Sequence, residues 1–412
     1  MATITGLPAV DLLSPEATAD PYSILSVLRE EDPVHWSDRH RAWIVTRFDD
    51  VEALLTDARL SSDRVAPVLA RTREASGESQ ATEILDIMQR WMVVTDPPEH
   101  TRLRKLAAGA FKGQRISELG DHIEHLVSGI AAEFMSGEET DLIQHVAYPL
   151  PAAVIAEMMG APVEDRDDFR SWSDELALVA FGAGGEARDD RHERALRGVR
   201  EMFGYLQGLV DEARRSPGED MISALAAPVE DGDRLDDQEL LSMLALLLFA
   251  GHETTINATA NGTLALLRHP EQLALLREQP DLMPKAVEEV LRFDGPIKVL
   301  HRWVIEEVEL GGRTIPPGDR VFLALAGANR DPEHFVDPDV IDVTRYPNRH
   351  VAFGRGIHAC IGAQLARLEM RYLLDAIVND LPGIRLSEGA PIEHHPSLAA
   401  RALKGLHVVV DR

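Results

Sequence analysis

One uninterrupted helical pattern, from Asp237 to Arg268, constrains this chain more than any other feature. Asp236 and Glu239 have the spacing of a capping box at its start, and Pro270 ends it because proline cannot continue a helix. Its 32 residues would reach roughly 48 Å at the rise of an α-helix. The sequence therefore predicts a fold assembled around one central helix that crosses the molecule.

The middle of this helix, residues 250–255, reads AGHETT, which a helix does not need for stability. Gly251 costs about 1 kcal/mol relative to alanine, and the hydroxyl of Thr254 can hydrogen-bond the carbonyl of Ala250 and bend the helix. Taken alone, the pattern fits two interpretations. One is close helix packing around a small residue, with Glu253 in solvent, and the other is a functional site inside the helix.

The chain contains a single cysteine, Cys360, so an internal disulfide and a multi-cysteine zinc site are excluded. Three interpretations remain from the residue itself. Cys360 is a small buried hydrophobic residue, a catalytic nucleophile with a histidine base such as His358, or a single thiolate ligand to a metal.

The surroundings of Cys360 favour the third interpretation. It lies in residues 353–362, FGRGIHACIG, where Gly354 and Gly356 permit a sharp turn and close approach to a bulky group. Apolar residues recur downstream at helical spacing, which predicts a helix that begins at Cys360. The helix dipole and the free N–H groups at such a terminus would stabilise a thiolate.

Six residues of this segment, at these intervals, resemble the haem-ligand loop of the cytochrome P450 family: Phe353, Gly354, Gly356, His358, Cys360 and Gly362. The resemblance covers nearly the whole chain and implies a single cytochrome P450 domain over residues 1–412. It implies a mainly α fold with small β-sheets, with haem b between the long central helix and the cysteine loop. Cys360 is then the axial thiolate ligand of the iron, and Phe353 and Gly354 contact the cofactor.

Residues 250–255 resemble the oxygen-binding segment of the same family. The resemblance implies dioxygen as a co-substrate, with Thr254 as a hydrogen-bonding alcohol and Glu253 as the acid that relays protons. Glutamate replaces the more usual aspartate here, which keeps the charge and lengthens the side chain.

Four further residues match family positions that bind the haem propionates: His100, Arg104, Arg302 and His358. His100 and Arg104 are four residues apart and so share one face of a helix. Glu289 and Arg292 resemble the Glu-x-x-Arg motif of the family, with Arg345 as third member of a buried structural network.

Strand patterns flank the helical part of the chain. A short helix capped by Asp20 precedes a hairpin of residues 34–36 and 42–45, inside a β-rich region near residues 33–48. Helical periodicity then dominates from residue 49 to about residue 291. A second β-rich region covers residues 300–325, with turns at residues 311–312 and 316–318.

Net charge and hydropathy exclude other classes of protein. Forty-two basic residues against 69 acidic residues give a net charge of −27, which argues against a nucleic-acid partner. The longest apolar run, residues 240–250, is too short to span a bilayer, and no signal peptide is recognisable at the N-terminus. We expect a cytoplasmic protein without a membrane anchor, acting as a monomer.

The resemblance implies that electrons come from another protein, because no second cysteine exists to hold an iron–sulfur cluster and no flavin domain is recognisable. A ferredoxin or flavodoxin, with its reductase, is the expected partner. We expect it to dock on a basic island near Cys360, formed by Arg102, Lys105, Lys112, Arg115 and Arg355.

Apolar segments predict a pocket for a hydrophobic small molecule: residues 65–94, 169–188, 246–254, 297–300 and 397–399. The apolar residues expected to line it are Val68, Leu69, Met88, Trp91, Val93, Leu178, Val179, Phe181 and Val299. Lys298 and Arg401 are either solvated or paired with a substrate carboxylate. Residues 181–185, FGAGG, form either a lid hinge or an ordinary glycine-rich loop.

The leading functional hypothesis is a haem-thiolate monooxygenase that acts in specialised metabolism. One alternative is a haem-thiolate enzyme for a non-hydroxylating oxidation, such as C–C or C–O coupling, nitration or peroxide-driven chemistry. A non-catalytic haem-binding protein and a cysteine hydrolase are the alternatives from other classes.

Overall fold

The computed structural model describes residues 10–111, 119–134, 139–180, 190–227, 232–381 and 383–411. Its α-helices are α1 Pro15–Ala19, α2 Pro21–Glu31, α3 Phe48–Leu54, α4 Ala66–Ser76, α5 Gln80–Met88, α6 Glu99–Ala108, α7 Gly120–Phe134, α8 Pro149–Met158, α9 Arg166–Ala180, α10 Arg191–Arg215, α11 Met221–Ala226, α12 Asp237–Arg268, α13 Pro270–Glu278, α14 Met283–Asp294, α15 Leu325–Ala328 and α16 Ala363–Asn379. Its strands are β1 Val34–Ser37, β2 Ala42–Val45, β3 Leu60–Ser61, β4 Thr140–Asp141, β5 Leu300–Val304, β6 Val308–Leu310, β7 Arg313–Ile315, β8 Arg320–Leu323, β9 Arg385–Leu386 and β10 His407–Val409.

The central helix α12 has the predicted bounds, Asp237 and Arg268. The carboxylate of Asp236 accepts from the Glu239 N–H at 2.8 Å, and the Glu239 carboxylate accepts from the Asp236 N–H at 2.8 Å. The predicted capping box is thus confirmed. Because α8, α14 and α16 all pack against α12, most of its faces are buried.

Burial in the core explains why α12 is both long and apolar. By length and composition, α12 is the one helix among the described residues that could cross a membrane, with a mean hydropathy of 1.3. In the fold, 72% of that apolar window is buried inside the protein. Its apolar character is therefore accounted for by its place in the core.

Strands from both predicted regions meet in one five-stranded sheet, in the order β1-β2-β8-β5-β3, whereas β6 and β7 of the second region form a separate two-stranded sheet. The predicted hairpin is present, with Val34 opposite Val45, and β2 then pairs in parallel with β8. The predicted turn at Gly311 and Gly312 joins β6 to β7, and both glycines have positive φ, 56° and 72°. This conformation suits glycine because a side chain would be strained there.

Short strands also occur where only helical periodicity was predicted. β3 pairs with β5, β4 pairs with β10, and residues Ile143–Ala147 form a π-helical turn. Each of these two strands has two residues and pairs with a segment far away in sequence. Such strands are too short to show an alternating pattern of their own.

Candidate active site

A cavity of about 260 Å³ lies between α12 and the loop that precedes α16. Its wall is mostly apolar and brings together residues from distant parts of the chain. They include Met92, Val93, His100, Arg104, Leu246, Leu247, Ala250, Gly251, Thr254, Ile297, Leu300, Phe353, Gly354, His358 and Cys360. The two segments that the sequence singled out therefore face a common space.

The Cys360 loop is shaped by its glycines. Gly354 and Gly356 both have a φ of +67°, and a Cβ on Gly356 would lie 2.9 Å from Cγ2 of Thr56. The Cys360 N–H donates to the carbonyl of Phe353 at 2.9 Å, which closes the loop. Substitution of Gly356 would therefore displace Thr56 or open this loop.

The helix after the loop begins later than predicted. α16 starts at Ala363 with Gly362 as its N-cap residue, so Cys360 lies outside the helix. The reason is the closing hydrogen bond to Phe353, which holds Cys360 in the turn before the helix. Even so, the backbone N–H of Gly362 hydrogen-bonds the sulfur of Cys360.

The protonation of Cys360 depends on opposing effects. Its side chain has a high accessible surface, but that surface faces the internal cavity and the sulfur is enclosed by protein. Burial raises the pKa of the Cys360 thiol, whereas the Gly362 N–H and the positive charges of Arg104 and Arg367 lower it. In the protein alone burial prevails, so the predicted stabilisation of a thiolate at the helix terminus is present but outweighed. A cationic metal centre would reverse this balance.

Thr254 lies on the cavity wall of α12. Its Oγ1 donates to the carbonyl of Ala250 at 3.0 Å, as predicted from their spacing. Gly251 has a packing role as well, because a Cβ there would lie 3.1 Å from Cδ1 of Ile155 in α8. The packing and functional interpretations of this segment are therefore compatible.

Glu253 lies on another side of α12, away from the residues that line the cavity. Its carboxylate accepts a hydrogen bond from Nδ2 of Asn257 at 3.1 Å. Burial raises the pKa of Glu253, and burial, followed by the charge of Glu253, raises the pKa of Asp174 in α9. The side chain thus faces α9, with Asn257 and Asp174 beside it.

A buried carboxyl group next to the cavity was not recognised in the sequence. Glu369 of α16 is 1% exposed, and burial raises its pKa to about 8, while a hydrogen bond from Thr255 lowers it. Thr255 lines the cavity next to Thr254. The only sequence signal was an acid between apolar residues of an amphipathic helix, which surface glutamates share.

The four predicted propionate residues lie close together. His100 is 1% exposed and Arg302 is 5% exposed, and the rings of His100 and His358 are 4.0 Å apart. Nδ1 of His100 and Nε2 of His358 are buried without a hydrogen-bond partner among the described residues. His100, Arg104 and His358 line the cavity. Arg302 is close enough for its charge, after burial and His100, to lower the pKa of His358. This edge of the cavity is therefore positively charged and rich in unused donors.

The Glu289 network is fully buried. Arg292 donates to both carboxylate oxygens of Glu289, at 2.8 and 2.7 Å, and both side chains are 0% exposed. Arg345 and Asn348 reach the same carboxylate at 3.1 and 3.0 Å. The network joins α14 to the segment that leads into the Cys360 loop.

Lys298 and Arg401 do not form a substrate-carboxylate site. Ile297 pairs with Ala400 across an antiparallel bridge, and Ile297 faces the cavity. Lys298 and Arg401, one residue further along each segment, therefore point to the opposite side. Arg401 binds Asp294 at 3.1 Å and the carbonyl of Thr18 at 2.8 Å. Lys298 is 4% exposed, so neither side chain is solvated.

The predicted pocket segments contribute unequally to the cavity. Residues from 65–94, 246–254 and 297–300 line it, among them Val93 of the predicted apolar set. Val299 instead packs in a cluster with Leu25 and Phe322, and Val68 is 40% exposed. The predicted hinge at residues 181–185 lies outside the described residues.

The basic island is weaker than its sequence suggests. Arg102 pairs with Glu99, Asp233 and Glu239, at 2.8, 3.2 and 2.7 Å. Arg355 pairs with Glu52 at 3.1 Å. Lys112 and Arg115 lie outside the described residues. Arg102 is therefore a structural residue rather than a free positive charge.

Comparison with known proteins agrees with this geometry. The family model described as Cytochrome P450 matches residues 60–381. The chain is 39% identical to the cytochrome P450 monooxygenase PikC of Streptomyces venezuelae, over 98% of this chain and 95% of the relative. It is 39% identical to the vitamin D(3) 25-hydroxylase of Pseudonocardia autotrophica, over 99% and 98%.

A solved structure gives the same result for the fold. The polyketide synthase cytochrome P450 PksS of Bacillus subtilis 168 matches with a TM-score of 0.87 and 35% identity, over 98% of this chain and all of that chain. The fold and the cysteine loop define a haem-thiolate protein, and the chain belongs to the cytochrome P450 family. It is a cytochrome P450 monooxygenase similar to those of bacteria.

The residues present fit the haem of this family. Cys360, the only cysteine of the chain, faces the cavity and supplies the iron ligand. Apolar side chains surround the space for a flat macrocycle. At one edge lie the cations Arg104 and Arg302 and two histidine nitrogens without a partner among the described residues, where carboxylates would be neutralised.

Proposed function

We propose that this monooxygenase inserts one oxygen atom from dioxygen into an uncharged, hydrophobic small molecule of specialised metabolism. The observation that carries the proposal is the apolar part of the cavity wall, formed by Met92, Val93, Ile297 and Leu300 together with Leu246 and Leu247 of α12. With Lys298 and Arg401 turned away, the described part of this wall offers no charged anchor for a carboxylate. The names of the relatives, a hydroxylase and a polyketide enzyme, support the same substrate class.

Haem b supplies the iron at which dioxygen is activated. The protein contributes the proton donors. The hydroxyl of Thr254 donates to the carbonyl of Ala250, and Thr254 lines the cavity. Rotation of this hydroxyl would direct the same proton into the cavity. Glu253 lies away from the cavity wall, so it is proposed as a more distant acid of the relay rather than a donor within the cavity. Burial raises its pKa, which keeps the carboxyl group protonated to higher pH than in an exposed glutamate.

The electrons are proposed to come from a ferredoxin and its reductase in the cytoplasm. A partner of this kind fits a chain whose single thiol binds iron and leaves none for a cluster. We propose that the carrier docks at the Cys360 loop, where Arg355 pairs with one carboxylate, that of Glu52. Arg102 is left out of this surface because it pairs with three carboxylates.

A ligand screen followed by turnover tests this function. We expect neutral hydrophobic compounds, such as macrolides, terpenoids or sterols, to displace water from the iron and shift the haem spectrum. A positive compound should then be oxygenated only when dioxygen, reductant, ferredoxin and reductase are all present. Preferential binding of charged ligands would contradict the proposed substrate class, and turnover without the carrier would contradict the proposed partner.

Substitution of Thr254 tests the proton supply. For Thr254→Ala we expect product formation to fall by roughly 10²-fold, a typical contribution of a positioned proton donor. Reductant should still be consumed, with hydrogen peroxide released in place of product. The ratio of product to reductant is the measurement.

Thr263 offers a matched control for this prediction. Its hydroxyl makes the same bond to a carbonyl four residues earlier, Thr259, at 2.8 Å on the same helix. Thr263→Ala should retain the wild-type ratio of product to reductant. Equal losses in both variants would mean that Thr254 acts on the helix rather than on the reaction.

A further inference from the structure

Arg64 is an enclosed cation that lies outside the segments resembling family motifs. It follows β3 and precedes α4, and burial lowers its pKa to about 10. Its Nη1 donates to the carbonyl of Val93 at 3.3 Å. Val93 lies on the cavity wall, so Arg64 stands directly behind that wall.

The acids around Arg64 are already engaged. Asp63 attracts it, but an oxygen of Asp63 accepts from the N–H groups of Val65 and Ala66, at 3.2 and 2.9 Å. Asp96, whose charge acts on Arg302, accepts from the hydroxyl of Ser61 and from the N–H of Ser62. These carboxylates hold the backbone around β3. Neither of them forms an ion pair with Arg64 or Arg302.

The cations of this region act on one another. Strand β3, which precedes Arg64, pairs with β5, which carries Arg302, with Ser61 opposite Trp303. After burial, the charge of Arg302 is the main cause that lowers the pKa of Arg64. The Nη1 hydrogen bond of Arg302 goes to the carbonyl of its own neighbour, His301, at 3.0 Å. Arg64 and Arg302 thus lie on paired segments behind Val93, and Arg104 lines the cavity with His100 and His358, each of which has a buried nitrogen without a partner among the described residues. Repulsion between enclosed like charges is costly unless an anion is bound among them.

We propose that Arg64 is a third guanidinium for the haem propionates, beside Arg104 and Arg302, and that it links the cofactor to the cavity wall at Val93. A dianion with two carboxylates on one edge supplies the charge that this cluster lacks. The proposal rests on the haem assignment and adds a residue to it. Through its bond to Val93, Arg64 would transmit the position of the cofactor edge to the substrate cavity.

A neighbouring histidine lies in the same strand as Arg302. His301 lies in β5, with its ring 6.1 Å from the ring of Phe322. Burial and the charges of Arg64, Arg302 and Arg320 lower its pKa to about 3. The field of the cluster therefore extends to a group outside the Cys360 loop.

Haem transfer from the holoenzyme to excess apomyoglobin tests the proposal. For Arg64→Met we expect haem to leave roughly tenfold faster, because a charge-assisted hydrogen bond to a propionate is lost. The midpoint reduction potential should become more negative, because removing a nearby positive charge favours the ferric state. Arg64→Lys should restore most of the retention, since it keeps the charge.

Arg73→Met is the matched control. Arg73 lies in α4 nearby, is exposed, and pairs with Glu78 and Asp86. The Arg73→Met variant should leave both the rate of haem transfer and the midpoint reduction potential unchanged. Unaltered transfer and potential in Arg64→Met would overturn the proposal and show that Arg64 only supports Val93. An intact carbon monoxide spectrum of thiolate-bound haem in that variant would show that the cofactor assignment itself still stands.

Discussion

Replacement of Cys360 by serine should abolish the carbon monoxide difference band that is characteristic of thiolate-bound haem. Serine is nearly isosteric, but its hydroxyl is not deprotonated at neutral pH and is a much weaker ligand to iron. The loop itself should persist, because its closing bond joins the backbone of Cys360 to that of Phe353. The reduced, carbon monoxide-bound spectrum of the purified variant is the measurement.

The adjacent variant Ala359→Ser provides the control for Cys360→Ser. It adds a hydroxyl to the same loop, which lines the same cavity, while the sulfur remains. Its spectrum should match that of the wild type. A thiolate-type band in Cys360→Ser would overturn the assignment of the iron ligand. Loss of the band in both variants would instead point to a distorted loop.

Removal of Glu289 or Arg292 should prevent the protein from accumulating with haem. Arg292→Ala leaves the Glu289 carboxylate in a site where both side chains are 0% exposed. Breaking a buried pair by removing one partner costs about 3–5 kcal/mol, a large fraction of the stability of a typical domain. Because Arg345 still reaches the Glu289 carboxylate at 3.1 Å, we expect the lower end of that range. Glu289→Gln should also destabilise the protein, because Arg292 and Arg345 lose the anion they share. The haem-to-protein ratio and chemical denaturation measure the effect.

An exposed ion pair serves as the comparison for this network. Arg385 and Asp411 are 2.6 Å apart, with 56% and 64% exposed side chains. Arg385→Ala should change the free energy of unfolding by less than about 1 kcal/mol, as exposed pairs usually do. Normal holoprotein yields from both Glu289→Gln and Arg292→Ala would contradict a structural role for the buried network.

The parts of the fold that the sequence predicted well are those whose cause is local. The capping box of α12 needs two residues three positions apart, and the hairpin needs two short apolar runs around a polar turn. The Thr254 bond to Ala250 follows from helical spacing alone. In each case the interacting residues are neighbours in the chain, so their pattern carries the information.

The errors arise where the answer depends on distant segments. Lys298 and Arg401 turn away from the cavity because of the register between two segments about a hundred residues apart. No alternating pattern in either segment reveals which face meets the cavity. Arg102 resembles a free surface cation until Asp233 and Glu239 reach it from beyond α11. Glu369 and Arg64 escaped notice because burial by other elements gives them their character.

The capping box of α12 is shared with another element. Glu239 holds the N–H of Asp236 and, at the same time, the guanidinium of Arg102 in α6. Arg102 thereby ties α6, which carries His100 and Arg104, to the first turn of α12, which carries Thr254. Both helices contribute residues to the cavity wall. Fraying of the first turn of α12 would therefore also release Arg102, so the positions of the two helix ends are coupled through this carboxylate.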